Sequence, residues 1–109
     1  MSTSSTAGIA RVWKGYGSAE GVRQYCDEYF SPTLLPELRR LNGFIRATVL
    51  LRQRAEDSEV VVATVWESIE AVKGFAGEDY EQAVVEPVVH DLLQGFEDRV
   101  SHYTIGLAS

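Results

Sequence analysis

The sequence predicts an α+β domain of the ferredoxin-like kind, a split βαβ unit (βαββαβ) on a four-stranded antiparallel sheet. Three observations carry this. The apolar patterning runs strand, helix, strand, strand, helix, strand. Two β-rich runs, Phe44–Arg54 and Glu59–Glu67, flank the short polar stretch Ala55-Glu56-Asp57-Ser58, as an antiparallel hairpin does. Each helical stretch shows a single apolar face. The 109 residues fit one domain over 9–109, after a small, polar leader over 1–8 that has neither the basic start nor the apolar stretch of a signal peptide.

In chain order, Ile9–Tyr16 alternates as a strand, and Gly15 and Gly17 are expected to break it. Ser18 is placed to cap a helix, with Glu20 in its first turn favoured by the helix dipole. Val22, Tyr25, Cys26, Tyr29 and Phe30 recur at i, i+3, i+4, i+7 and i+8, one face of that helix. Pro32 should interrupt it, and Pro36 restart a shorter turn to Arg40. Asn42-Gly43 is a turn signal before the hairpin. Ser68 then caps a helix through Phe75 that Gly77 ends, with Ile69, Val72 and Phe75 as its stripe. Asp79 with Gln82 fits a capping box for a further helix, divided at Pro87 and carrying Val88, Val89, Leu92, Leu93 and Phe96. A last strand, Arg99–Leu107, closes the chain.

Composition narrows the function. The net charge of −6, with no strongly basic cluster, disfavours nucleic acid. The apolar stretches fall far short of the roughly 20 residues of a membrane span, so a cytoplasmic protein is the default. The single cysteine, Cys26, permits no internal disulfide. Two histidines, His90 and His102, without a nearby carboxylate cluster give no credible metal-ligand set. P-loop, dinucleotide-fingerprint and nucleophile-elbow patterns are absent.

The strand residues divide into two sets. Ala10 and Val12, then Ile45, Ala47, Val49 and Leu51, then Val61, Ala63 and Val65, and Tyr103, Ile105 and Leu107 form a small aliphatic set. The other mixes Arg11, Trp13, Arg46, Thr48, Thr64, Trp66 and His102. Helices cover only one side of such a sheet, so the second covered face predicts a homodimer joined through the sheet.

Trp66-Glu67-Ser68, Ala71, Phe75-Ala76-Gly77, Asp79, Ala83, Pro87, Val100 and His102-Tyr103, with Ile9-Ala10-Arg11-Val12-Trp13 at the start, resemble the antibiotic biosynthesis monooxygenase family over nearly the whole chain. The resemblance implies a dimeric α+β barrel with a pocket between sheet and helices in each subunit. Family members include cofactor-independent monooxygenases acting on polycyclic phenols and anthrones, quinol oxidisers and haem-degrading enzymes. The haem-degrading branch needs a histidine about one turn after Phe75, where this chain has Ala76, Gly77 and Glu78, and a first-strand asparagine that is missing.

Oxygenation without a cofactor requires an apolar slot, help in removing a proton, and stabilisation of the resulting anion. His102 is the candidate base, its ordinary pKa of about 6.5 suiting proton transfer; a satisfied core or interface histidine is the alternative. Arg46, expected on the same face, is the candidate oxyanion holder, against a structural ion pair to a helix glutamate. Arg11 is a second such cation. Trp66 and Trp13 are placed to sandwich a flat aromatic substrate, and Tyr25, Tyr29 and Phe30 to line the cavity, unless all five serve only as core. Cys26 reads as an inert buried thiol and His90 as a surface or supporting residue.

The reading is a small cofactor-independent monooxygenase or oxidase acting on an aromatic, phenolic or quinol-type metabolite. The alternatives are a non-oxidative cyclase or isomerase on the same scaffold and a non-catalytic dimer that binds a small ligand.

Overall fold

The computed structural model describes residues 8–109. The expected leader falls, except for Gly8, outside the described residues. The elements are β1 (Ile9–Gly17), α1 (Ala19–Gln24), a π-helical stretch (Tyr25–Leu34), α2 (Leu35–Leu38), β2 (Phe44–Gln53), β3 (Ser58–Trp66), α3 (Ile69–Ala76), α4 (Pro87–Leu92), β4 (Gly95–Phe96) and β5 (Ser101–Thr104). The sheet is open and antiparallel, in the order β2-β3-β1-β4, with β5 also on β1. Of the expected last strand, Arg99–Leu107, only Ser101–Thr104 pairs as β5, and the short β4 is an additional strand that makes five. The ferredoxin-like α+β topology stands.

Local chemistry sets most boundaries. The Ser18 and Ser68 hydroxyls accept from Gly21 N–H and Ala71 N–H, satisfying donors that the first turns of α1 and α3 leave open. Gly77, at φ 88°, ends α3 in a conformation that other residues rarely adopt. Gly43 has φ 86°, and an added Cβ would collide with the Ala71 Cβ, so turn geometry and helix approach both demand glycine there.

Four expectations are corrected. Gly15 and Gly17 do not break β1, which pairs through Gly17↔Ser58; at Gly15 the missing side chain makes room for Leu93, whose Cδ1 would lie 2.7 Å from a Cβ. Pro32 does not stop the first helical run. Proline lacks an N–H and its ring collides with the carbonyl four residues back, and widening to i→i+5 turns relieves the collision. The segment after Gly77 forms no capped helix. Its backbone bridges to the chain before β5, with Ala83 N–H on Asp98 O and Val100 N–H on Glu81 O, both at 2.8 Å, and only Pro87–Leu92 is helical. Phe96, expected on a helix, lies in β4.

The assignment of β2 to the two faces is also corrected. The hairpin pairs Gln53 with Ser58, so odd positions of β2 oppose even positions of β3. Ala47, Val49 and Leu51 therefore share a face with Thr64, Val62 and Val60, and Arg46 and Thr48 lie on the other side with Val65 and Ala63. A bulge at Ile45 lets Phe44 rejoin the inner face opposite Trp66.

The core lies between this inner face and the helices. Trp13, Val60, Val62 and Trp66 from the sheet meet Val22, Tyr25, Phe30 and Leu38 from the first helical run, Val72 from α3, and Val89 with Leu93. Val60, Val72 and Trp66 are wholly buried. Each aliphatic side chain of this kind stabilises the fold by about 1.5–3 kcal/mol. No helix among the described residues is long and apolar enough to cross a membrane.

Candidate functional site

The central strands β1 and β3 position the polar part of the site. Arg11 pairs with Thr64 across β1–β3 and with His102 across β1–β5, so all three side chains project from the inner face. Arg11 is buried, 5% exposed. Its Nη1 donates to the Tyr80 carbonyl and lies 3.1 Å from His102 Nε2, while Nη2 donates to the Gln82 carbonyl at 3.1 Å. The guanidinium sits over the Phe75 ring, 5.6 Å from its centroid. No carboxylate pairs with it among the described residues. Burial lowers its pKa to about 10, so it remains a cation at neutral pH without a counter-charge.

A cavity of about 40 Å³ opens between the inner sheet face and the helices. Arg11, Trp13, Val62 and Thr64 form its sheet wall; Tyr25, Tyr29, Phe30, Leu34 and Leu38 form the helical wall; Phe75, Val84, Val89 and Val100 close it. The wall is apolar apart from Arg11, Thr64 and the tyrosine hydroxyls. Burial raises the pKa of Tyr25, with Tyr29 and Cys26 adding to it, and raises that of Tyr29, with Glu86 and Glu37 adding, so both stay neutral phenols. This volume holds one or two waters rather than a fused-ring compound, and ligands of that size need pockets of roughly 300 Å³ or more. Entry of such a ligand therefore requires wall side chains to move.

The structure brings together Arg11, Trp13, Tyr25, Tyr29 and Phe30 of the expected site residues. It separates the rest. Trp13 lines the cavity with its indole N–H held by the Glu97 carbonyl at 3.0 Å, and Tyr25 packs 5.6 Å from it. Trp66 is fully buried and does not line the cavity; Phe75 stacks on it at 5.7 Å and presents its own ring there instead. The expected Trp66–Trp13 sandwich is corrected to a wall of Phe75 and Trp13.

Arg46 is exposed on the outer face, opposite His102, because the four-residue hairpin connection fixes the parity of β2. The expectation that it shares a site with His102 is corrected. His102 lies behind Arg11 rather than in the cavity wall, with its ring edge-on to Tyr80 at 5.1 Å. Burial lowers its pKa, and the Arg11 charge lowers it further against an opposing effect of Glu81. Arginine can only donate, so Nε2 accepts and the ring proton sits on Nδ1. That Nδ1 is buried without a partner.

Cys26 is half-buried, and burial, with Asp27 adding, pushes its thiol pKa up, which keeps it an unreactive thiol. His90 packs edge-on against Phe96 at 5.2 Å. Among the described residues, no group of three or more His, Cys, Asp or Glu side chains is arranged to hold a metal ion.

Thr64 and Phe75 are site residues to which the sequence reading gave no role. Spacing held the signal for Thr64: two residues before Trp66 on one strand, it must share that residue's face.

The described chain is similar in fold to a monooxygenase from the gene ActVA-Orf6 of Streptomyces coelicolor, solved in complex with nanaomycin D (21% identity, 97% of this chain and 94% of that one, TM-score 0.70). It is also similar to SnoaB, a cofactor-independent oxygenase from Streptomyces nogalater (17% identity, 94% and 97% covered, TM-score 0.54). No curated protein sequence matches it. The profile of the family described as antibiotic biosynthesis monooxygenase matches residues 18–87, well over half of the chain. The chain therefore belongs to the antibiotic biosynthesis monooxygenase family.

Proposed function

We propose that this protein is a small monooxygenase that acts without a resident cofactor on an aromatic, phenolic or anthrone-like metabolite bound between sheet and helices. The observation that carries the reading is Arg11, an uncompensated buried cation on the wall of an otherwise apolar, aromatic cavity. A substrate anion held beside it is stabilised in a dry site and is electron-rich enough to react with O₂. Conversion of a ring CH₂ to C=O by one O₂ releases one water; the carbon loses four electrons, O₂ accepts them, and no outside reductant is needed. The two fold relatives are named as a monooxygenase and a cofactor-independent oxygenase, which supports the same reading.

In this reading Trp13, Tyr25, Tyr29 and Phe30 hold the ring system, and His102 is a positioning residue that keeps Arg11 in place, its Nε2 lone pair being committed to the guanidinium. The chain works as a homodimer. Ala10, Val12, Val61, Ala63, Leu50 and Tyr103 make an apolar outer sheet surface, with Leu50 and Tyr103 more than half exposed, which supports a sheet-to-sheet contact.

The test is oxygen consumption by metal-stripped protein over hydroquinones, naphthols and anthrones, beside Arg11→Gln. Uptake without added cofactor that collapses in the variant supports the reading; uptake no faster than the protein-free rate for every compound sinks it. The narrow cavity favours one second reading, a non-catalytic ligand-binding dimer, which saturable binding without turnover would support.

A further inference from the structure

Trp66 N–H donates to the Thr64 hydroxyl oxygen at 2.9 Å, and both residues are buried. A hydroxyl carries one hydrogen and two lone pairs. The indole occupies a lone pair, so the hydroxyl hydrogen must point elsewhere, and no acceptor takes it among the described residues. Thr64 lines the cavity directly across the β1–β3 pair from Arg11. Directly opposed strand residues have Cβ atoms roughly 4.5–5.5 Å apart, close enough for donors on both to converge on one oxygen. Arg11 itself offers Thr64 no acceptor. The Tyr80 and Gln82 carbonyls hold the guanidinium in place but do not neutralise it.

We propose that Thr64 and Arg11 together seat an anionic oxygen of the ligand (phenolate, enolate or carboxylate), with Trp66 as the positioning residue that aims the Thr64 hydroxyl into the cavity. The proposal rests on the cavity identified above as the ligand site and names the class of group that it takes. It also accounts for the buried indole N–H. Without that donor the hydroxyl can turn toward Trp66's side of the wall, and the second donor to the ligand is lost. A carboxylate or phenolate gains a charge-assisted bond from each donor, whereas a neutral amide gains only the weaker equivalent.

The experiment is calorimetric binding of 2-naphthoate and of 2-naphthamide, which differ in charge at nearly constant shape. The wild type is expected to favour the naphthoate at least tenfold. Thr64→Val, which keeps the shape and removes the hydroxyl, is expected to lose roughly tenfold in naphthoate affinity, as one charge-assisted hydrogen bond implies. Thr64→Ser should restore most of that loss. Trp66→Phe should lower naphthoate affinity several-fold while changing naphthamide little, which a purely structural role for the indole would not do. Thr64→Val binding naphthoate as tightly as the wild type, or a wild type that shows no preference or binds neither compound, overturns the proposal. The readout is binding, so a protein that consumes no oxygen but discriminates as expected keeps the seat and loses only the oxygenase reading. Should Thr64→Val fail to fold, Trp66→Phe and Thr64→Ser decide the matter alone.

Discussion

Arg11 Nη1 and His102 Nε2 lie 3.1 Å apart, a donor facing a ring nitrogen that can accept only while the imidazole is neutral. A proton added at Nε2 would set two donors and two positive charges against each other. This explains why burial and then Arg11 hold the His102 pKa below its ordinary 6.5. With the folded value depressed, the unfolded chain binds more protons in the window between that value and about 6.5, so stability is present above the window and is lost as pH falls through it. Denaturant midpoints at pH 7 and pH 5 should show this fall, and His102→Gln should flatten it. An unchanged pH dependence in the variant would sink the assignment.

Gly43→Ala tests the turn between α2 and β2. The positive φ and the close approach to the Ala71 Cβ act together, and a cost of about 1–3 kcal/mol is expected from strain alone. Urea denaturation reads it directly. Gly74→Ala, where an added Cβ meets nothing within 4 Å, is the matched control and should be neutral or stabilising.

Binding of an anion at Arg11 should be flat from neutral into alkaline pH, because burial lowers the guanidinium pKa yet leaves it a cation there. Naphthoate titrations at pH 7 and 9 check this, with the naphthamide as the uncharged reference. A midpoint near neutrality would assign the dependence to another group.

Val61→Arg places a charge in the middle of the outer sheet face without touching the cavity, since Val61 pairs Lys14 and Leu50 on that side. If two chains join through this surface, light scattering should show the variant as a monomer where the wild type is a dimer. A variant that keeps the wild-type mass would rule out this contact.

Arg99 is exposed and spans Asp79 at 3.1 Å and Glu81 at 3.3 Å, tying the 77–86 segment to the chain before β5. Arg99→Ala should leave global stability nearly unchanged, as exposed pairs contribute little. Amide exchange should rise at Ala83 and Val100, whose N–H groups bridge the same two segments. Unchanged exchange there would mean that the backbone bridge holds the segment unaided.

The fold was readable because its signals were local. The serine caps, the Gly77 stop and the apolar stripe Val22–Tyr25–Tyr29–Phe30 each depend on a few neighbouring residues, and all appear where expected. The site was less readable because it depends on parity. Arg46 and Arg11 look equivalent as isolated mid-strand cations, yet the length of one hairpin connection puts them on opposite faces. Aromatic identity also says little about access: Trp66 and Trp13 read alike, but Phe75 covers the first and leaves the second at the cavity. The helix expected after Asp79 failed for a non-local reason, since the backbone of that segment bridges instead to the chain before β5, through Ala83 N–H on Asp98 O and Val100 N–H on Glu81 O.

The division of the sheet edge beside β1 between β4 and β5, two and four residues long, has a consequence for how this molecule behaves in crowded solution. An unpaired strand edge is a template on which another chain can add, and short, interrupted edges are poor templates. On this side of the sheet the main chain turns away at Glu97–Val100 and spends its hydrogen-bonding groups on Trp13, Lys14, Glu81 and Ala83. The opposite edge, β2, runs for ten residues and relies on the Ile45 bulge and the arginines at 46 and 52 for its defence. Recruitment of a foreign strand, and with it any misassembly by edge pairing, is therefore directed to β2.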